Sequence, residues 1–219
     1  MSDIPAADFD PDCRRCPRLA GFLDEVHEKH PDYFCRPVPS FGPLSARLLI
    51  VGLAPGMHGA NASGRPFTGD YAGILLYQTL YEHGFANCPV SEHANDGLRL
   101  LDARITNAVR CLPPQNKPSG DEVKRCNPYL RAELDGLIPG SVVLALGLVA
   151  HRAVLSALGL KQAAYRFGHG AEHALPDSST LLDSYHCSRY NTQTRRLTAA
   201  MFSDVFARAR VLLDSSPSR

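Results

Sequence analysis

The chain has 219 residues, 44% of them hydrophobic and 21% charged, close to the averages of globular proteins, which excludes a disordered chain. A formal net charge of +1 excludes a uniformly basic tail protein, so contact with nucleic acid would rest on a local patch. The longest apolar runs, 48–51 and 142–145, fall far short of the roughly 20 residues of a membrane span, and residues 1–11 carry Asp3, Asp8 and Asp10 with no apolar centre, unlike a secretory signal; a soluble, cytoplasmic protein is expected.

In chain order, residues 11–43 are punctuated by prolines around one helical segment, 19–30. Residues 47–51 read as a buried strand ending at Gly52, and a glycine-rich loop covers 53–70. The stretch 71–83 is helical, with Leu75, Leu76, Thr79 and Leu80 on one face. A short strand is expected at 105–109, a proline-rich loop at 111–119, and a helix at 121–137 with Ser119 as N-cap and Glu122 in its first turn. Residues 141–146 form a second apolar strand closed by Gly147, followed by a helix at 148–158. A strand at 180–184 leads to His186, and an amphipathic helix at 198–213 ends the fold. This alternation predicts an α/β protein, a three-layer α/β/α sandwich around a mostly parallel sheet. One domain is expected over 1–219, with a core at 12–214 and flexible ends at 1–11 and 215–219. In such sheets, sites form where loops leave the carboxyl ends of strands. Here those are the loops after Val51, after Asn107 and after Tyr185.

The first loop is neither a P-loop nor a dinucleotide fingerprint, but its glycines at 52, 56, 59, 64 and 69 let backbone approach a ligand closely. Phe67 lies among polar residues and glycines, where it either stacks on a planar ligand or packs in the core. Asp70 precedes a helix, as an N-cap or as a carboxylate serving as base or stabilising positive charge. Asn107 either reads an amide edge or makes a turn. The third loop carries Arg189, Arg195 and Arg196 without an acid, and hydroxyls on Tyr185, Ser188, Tyr190, Thr192 and Thr194. That mixture suits phosphate contacts, or a solvated turn. His58, His151, His169 and His173 show no zinc-type spacing.

The seven cysteines are odd in number, and without an export signal a disulfide framework is not expected. Cys13-Arg-Arg-Cys16 has a metal-gripping spacer, and Cys111 and Cys126 are the best candidates to complete a set. Four thiolates suit zinc or an iron–sulfur cluster; the competing reading is that all are small buried hydrophobes, preferred for Cys35, Cys88 and Cys187. Spacing alone does not say which four belong together.

Three long segments, GLAPGMHGANASGRPFTGD, ITNAVRCLPPQNKP and SYHCSRYNTQTRRLT, occur in an order that resembles the type 5 uracil-DNA glycosylases, a bacterial and archaeal branch of their superfamily. The resemblance runs from about Cys13 to the terminal helix. It implies an α/β/α sandwich with a four-stranded, mostly parallel sheet, and a structural [4Fe–4S] cluster on Cys13, Cys16, Cys111 and Cys126. By the same resemblance Phe67 stacks on a flipped base, Asn107 bonds its Watson–Crick edge, and His186 donates towards O2 of the leaving uracil. Gly52 and Ala54 stand against the substrate in an apolar first motif typical of type 5, where other branches carry a polar residue near Ala54. Asp70 becomes the catalytic carboxylate. Ser188, Arg189, Asn191, Thr192, Thr194 and Arg195 become DNA contacts. Cys187 replaces a proline common in the superfamily. The implied activity is monofunctional excision of deaminated bases such as uracil and hypoxanthine, or other modified bases, from double-stranded DNA, by a monomer that initiates base-excision repair. The three loops hold no lysine for a Schiff base. An iron–sulfur redox protein and a non-catalytic lesion-binding module are the alternatives.

Overall fold

A computed structural model describes residues 9–215; the segments 1–8 and 216–219, part of the ends expected to be flexible, lie outside the described residues. Ser215 closes the last helix, and Phe9 meets Tyr129 edge-on with ring centroids 5.7 Å apart.

Strands β1 (Leu48–Gly52), β2 (Ala103–Asn107) and β3 (Val142–Leu146) are buried along their whole length. A short β4 (Glu172–Ala174) precedes β5 (Thr180–Ser184). The sheet order is β2-β1-β3-β5-β4, parallel except for β4, which pairs antiparallel with β5. The sheet therefore has five strands rather than four. The extra strand escapes sequence reading because its three residues, Glu-His-Ala, are polar and half-exposed, as protected edges are. β2 also starts two residues before the expected 105, because Arg104 interrupts the apolar pattern that marks a buried strand.

The helices are α1 (Pro17–Lys29), α2 (Ala60–Ser63), α3 (Tyr71–Glu82), α4 (Gly120–Asp135), α5 (Leu148–Ala157), α6 (Arg189–Gln193) and α7 (Ala199–Ser215). The short α2 and α6 lie inside segments expected to be loops. Successive strand side chains point to opposite faces, which builds two cores. Leu48, Ile50, Leu144 and Leu182 meet Leu76 and Leu80 of α3 and Phe202 and Phe206 of α7. Leu49, Val51, Val143 and Ala145 meet Leu130 and Leu134 of α4 and Ala153 and Val154 of α5. The result is the expected three-layer sandwich. Ser119 and Glu122 form a reciprocal capping box that fixes the start of α4 and so the approach to Cys126.

Arg104 enters the buried strand because a partner awaits it. Its Nε donates to Glu133 Oε2 at 2.6 Å, and Arg110 Nη2 donates to Glu133 Oε1 at 3.1 Å. Ser40 also donates to Glu133. Burial alone would push the Glu133 carboxyl up, but the two guanidinium groups hold it below the usual range. A carboxylate depressed in the folded state adds stability above its unfolded pKa of about 4.3 and loses it as pH falls. Glu133→Ala leaves two buried cations unpaired and costs about 3–5 kcal/mol in denaturant melts at neutral pH. The gap to the wild type narrows as pH falls below about 4.

Candidate active site

The loops leaving β1, β2, β3 and β5 meet around one cleft of about 640 Å³, lined by Ala54, Phe67, Asp70, Asn107 and His186 among others. Gly52 pairs in register with Asn107 across β1 and β2. A Cβ on Gly52 would sit 2.3 Å from Asn107 Oδ1 and 2.8 Å from the Phe67 ring. Glycine at that strand end is what lets the amide and the aromatic share the cleft floor; Gly52 itself lies beneath them and is not among the lining residues. Asn107 is 3% exposed, and its Oδ1 has no hydrogen-bond partner within the protein.

Phe67 is held in the left-handed region, φ +54°, where a side chain needs outside support. Gly73 supplies part of it, since a Cβ there would lie 1.7 Å from the Phe67 carbonyl oxygen. Tyr77 donates its hydroxyl to the Pro66 carbonyl at 2.6 Å. Arg65, 4% exposed, does the rest. Its Nη1 and Nη2 donate to the two Asp96 oxygens at 2.8 and 2.5 Å, its Nη2 to Ser91 at 2.7 Å and its Nε to Thr68 at 2.8 Å. Phe67 stacks on His186 with centroids 5.9 Å apart and planes 29° apart.

Asp70 is the N-cap of α3, and its Oδ1 accepts from the Gly73 amide at 2.8 Å. Its other oxygen faces Gly56 and Gly59, and a Cβ on Gly59 would lie 2.7 Å from it. Burial pushes the Asp70 carboxyl up, partly offset by the Gly73 and Ala72 amides. The N-cap reading of Asp70 is seen directly, and its second oxygen stays near the cleft. Burial pulls the His186 imidazole down to about 4, so it is neutral at physiological pH. Asn191 Nδ2 donates to the His186 carbonyl at 2.8 Å and fixes the turn that carries it.

Of the expected DNA contacts, Ser188, Arg189 and Asn191 line the cleft, and Thr192, Thr194 and Arg195 do not. Ser188 caps α6, and Thr194 bonds the Tyr190 carbonyl at 2.8 Å, so these hydroxyls hold the loop together. Arg189 lies over the Tyr71 ring and Arg196 over the Tyr185 ring. Tyr71, Phe167, Tyr185 and Arg196 join the lining without having been singled out for the substrate. The adjacency of Tyr71 to Asp70 was a usable signal; Phe167 offered none.

Cys13, Cys16, Cys111 and Cys126 surround a second, small cavity of about 20 Å³ walled by Val109, Tyr129 and Arg110. Cys35 and Cys187 are buried apart from it, and Cys88 is half-buried. The Arg110 amide donates to Cys126 Sγ at 3.3 Å. Burial and the neighbouring sulfurs push the Cys111 thiol up to about 12, and burial pushes that of Cys126 to about 11. Such thiols ionise only against a cationic centre.

Replacing Arg65 with Met leaves the Asp96 carboxylate nearly buried and unpaired. It should lower stability by about 3 kcal/mol and speed amide exchange across residues 64–70, while exchange in the β1 and β3 amides follows the global stability alone. Unchanged exchange in 64–70 would overturn the anchoring role of Arg65.

The uracil DNA glycosylase superfamily model matches residues 39–210. A type-5 uracil-DNA glycosylase of Thermus thermophilus is 47% identical over 91% of this chain and 93% of its own length. That of Pyrobaculum aerophilum is 41% identical over 90% and 87%, and that of Mycobacterium tuberculosis 44% over 91% and 78%. The crystal structure of wild-type Pedobacter heparinus SMUG2 superposes with a TM-score of 0.51 at 14% identity, covering 99% of this chain and 94% of that one, which shows a shared fold. At this identity and coverage, the chain belongs to the type-5 uracil-DNA glycosylases.

Proposed function

We propose that the chain is a monofunctional glycosylase that hydrolyses the N-glycosidic bond of uracil, and of hypoxanthine and related modified bases, in double-stranded DNA, opening base-excision repair. The observation that carries this reading is the unpartnered, buried Asn107 amide beside an aromatic ring and a carboxylate in one cleft. Uracil offers an N–H donor at N3 and a carbonyl acceptor at O4, which one amide satisfies with its oxygen and nitrogen. Hypoxanthine offers the same pair at N1 and O6. Cytosine and adenine offer the reverse polarity, so an amide held with Oδ1 towards the ring N–H favours the deaminated partner over each parent base. The base must leave the stack to reach Asn107, and Phe67 gives it a face to stack on. Tyr190, 71% exposed on the rim beside Arg189, is placed to enter the emptied stack, and the arginines of that loop to meet phosphates.

Cleavage breaks the bond between the sugar C1′ and the base nitrogen, with the electron pair leaving on the base. Positive charge grows on the deoxyribose and negative charge on the base, at O2 where the base is uracil. The Asp70 carboxylate stabilises the first and takes the proton of the water that adds to C1′. His186, neutral, donates an N–H towards O2. Both act in a largely apolar cleft where such interactions are strong. The products are the free base and an abasic site.

The four cysteines fit a [4Fe–4S] cluster. Zinc with Zn–S bonds near 2.3 Å would draw its sulfurs to about 3.8 Å apart, whereas no three cysteine sulfurs among the described residues lie within 4.8 Å of one another. Ligands attached to separate irons stand wider. Such a cluster would tie the segment around Cys13 and Cys16 to Cys111 and α4, bracing the fold next to the site. Purified under argon, the protein should be brown with about four irons per chain, and Cys111→Ser should lose the visible absorbance and melt lower. A colourless zinc protein would overturn the cluster reading.

The decisive assay is alkali-revealed strand cleavage under single turnover, on duplexes bearing uracil or hypoxanthine. Asp70→Asn should cut the rate by at least about 100-fold while leaving duplex binding within a few-fold. The wild-type rate should climb with pH through a pKa above the ordinary carboxylate value, because Asp70 must be ionised, and the variant should lack that limb. His186 adds no limb above pH 4. No product from either duplex would sink the reading, and an undiminished Asp70→Asn would remove Asp70 from the chemistry. No helix among the described residues is long and apolar enough to cross a membrane.

A further inference from the structure

Behind the cleft wall, three residues far apart in sequence meet: His151 of α5, His173 of β4 and Asp183 of β5, with one ligating atom of each within 4.8 Å of the others. His151 is 1% and Asp183 0% exposed. His151 Nδ1 stands 2.8 Å from Asp183 Oδ1, and His173 Nε2 stands 3.4 Å from Asp183 Oδ2. His173 Nε2 is buried without a hydrogen-bond partner. The other nitrogen of His151 faces the Tyr165 carbonyl at 3.1 Å. A carbonyl only accepts, so that nitrogen carries the proton. His151 Nδ1 then points at a carboxylate, with a second imidazole nitrogen beside it, and the Gly168 amide donates to Asp183 Oδ2 at 3.4 Å. Three potential ligand atoms facing each other in a buried space are satisfied by a positive charge between them.

A metal ion meets that requirement better than a hydrogen bond alone, since a proton shared by His151 and Asp183 leaves His173 Nε2 unsatisfied. The spacings are of the right size. Ligands at about 2.0–2.2 Å from a tetrahedral zinc stand about 3.4 Å apart. The outer arrangement is also that of a metal-bound histidine, which donates its far N–H to a carbonyl or carboxylate. A cavity of about 300 Å³ reaches His151 on its Tyr165 side, lined also by Arg152, Arg166 and Phe167. We propose that His151, His173 and Asp183 form a binding site for a zinc-type divalent metal, distinct from the cysteine set. Bound there, the ion joins β4, β5 and α5, and so stiffens the wall from which Phe167 and Tyr185 face the cleft and the turn leading to His186. Its role is structural, and it does not depend on the glycosylase reading.

The test uses the full chain with its cysteine site loaded, equilibrated with buffered Zn²⁺ and analysed for metal. The wild type should hold one zinc per chain beyond the metal on its cysteines and melt higher with zinc than without. His173→Gln, at the most exposed of the three positions, should bind at least tenfold more weakly and lose the melting shift. Co²⁺ on the wild type should give a ligand-field band without added thiolate charge-transfer absorption, a readout that stands whether or not the variant folds. No extra zinc in the wild type, undiminished zinc in a folded His173→Gln, or cobalt uptake marked by thiolate absorption would each overturn the proposal.

Discussion

The absence of one side-chain atom at the end of β1 governs the site. Because Gly52 has no Cβ, Asn107 from the neighbouring strand and Phe67 from the following loop occupy the space that atom would take. Parallel pairing sets the rest. Carboxyl ends of β1, β2, β3 and β5 lie side by side, so each loop leaving them opens onto the same cleft. A hydrophobic residue at that position would have made a longer strand and no floor.

Loops so placed still need holding, and the structure uses buried charge for that purpose. Arg65 ties the Phe67 loop to Asp96, and Glu133 ties β2 to the start of the Cys111 segment through Arg104 and Arg110. Buried ion pairs add little net stability over apolar packing. What they add here is geometry: a guanidinium with four fixed donors allows one position for the loop, whereas leucine packing would allow several. The strained Phe67 backbone is tolerable only in such a frame.

Sequence patterning revealed the elements whose physics is local. Buried parallel strands are short apolar runs, so residues 47–51, 141–146 and 180–184 stood out, and Ser119 with Glu122 announced α4. Motif resemblance placed Asp70, Asn107, Phe67 and His186, and the fold brings all four into one cleft. Features made by distant partners stayed hidden. Arg104 looks like a break in a strand until Glu133 is seen opposite it. Arg65 looks like a loop cation, β4 is too short and polar to signal a strand, and His151, His173 and Asp183 share no spacing because three elements have to meet before they form a group.

The cleft's apolar character links specificity to chemistry. Burial raises the Asp70 carboxyl and lowers the His186 imidazole, so one environment shifts both groups toward their neutral forms. The first motif brings the apolar Leu53 and Ala54 to the cleft, so on the proposed function selection falls to ring stacking and to one amide. Stacking tolerates any planar base, and an amide held in one orientation pairs a donor beside a carbonyl. On the proposed function, such a site separates deaminated bases from their parents by polarity rather than by size, and a pyrimidine and a purine then share it.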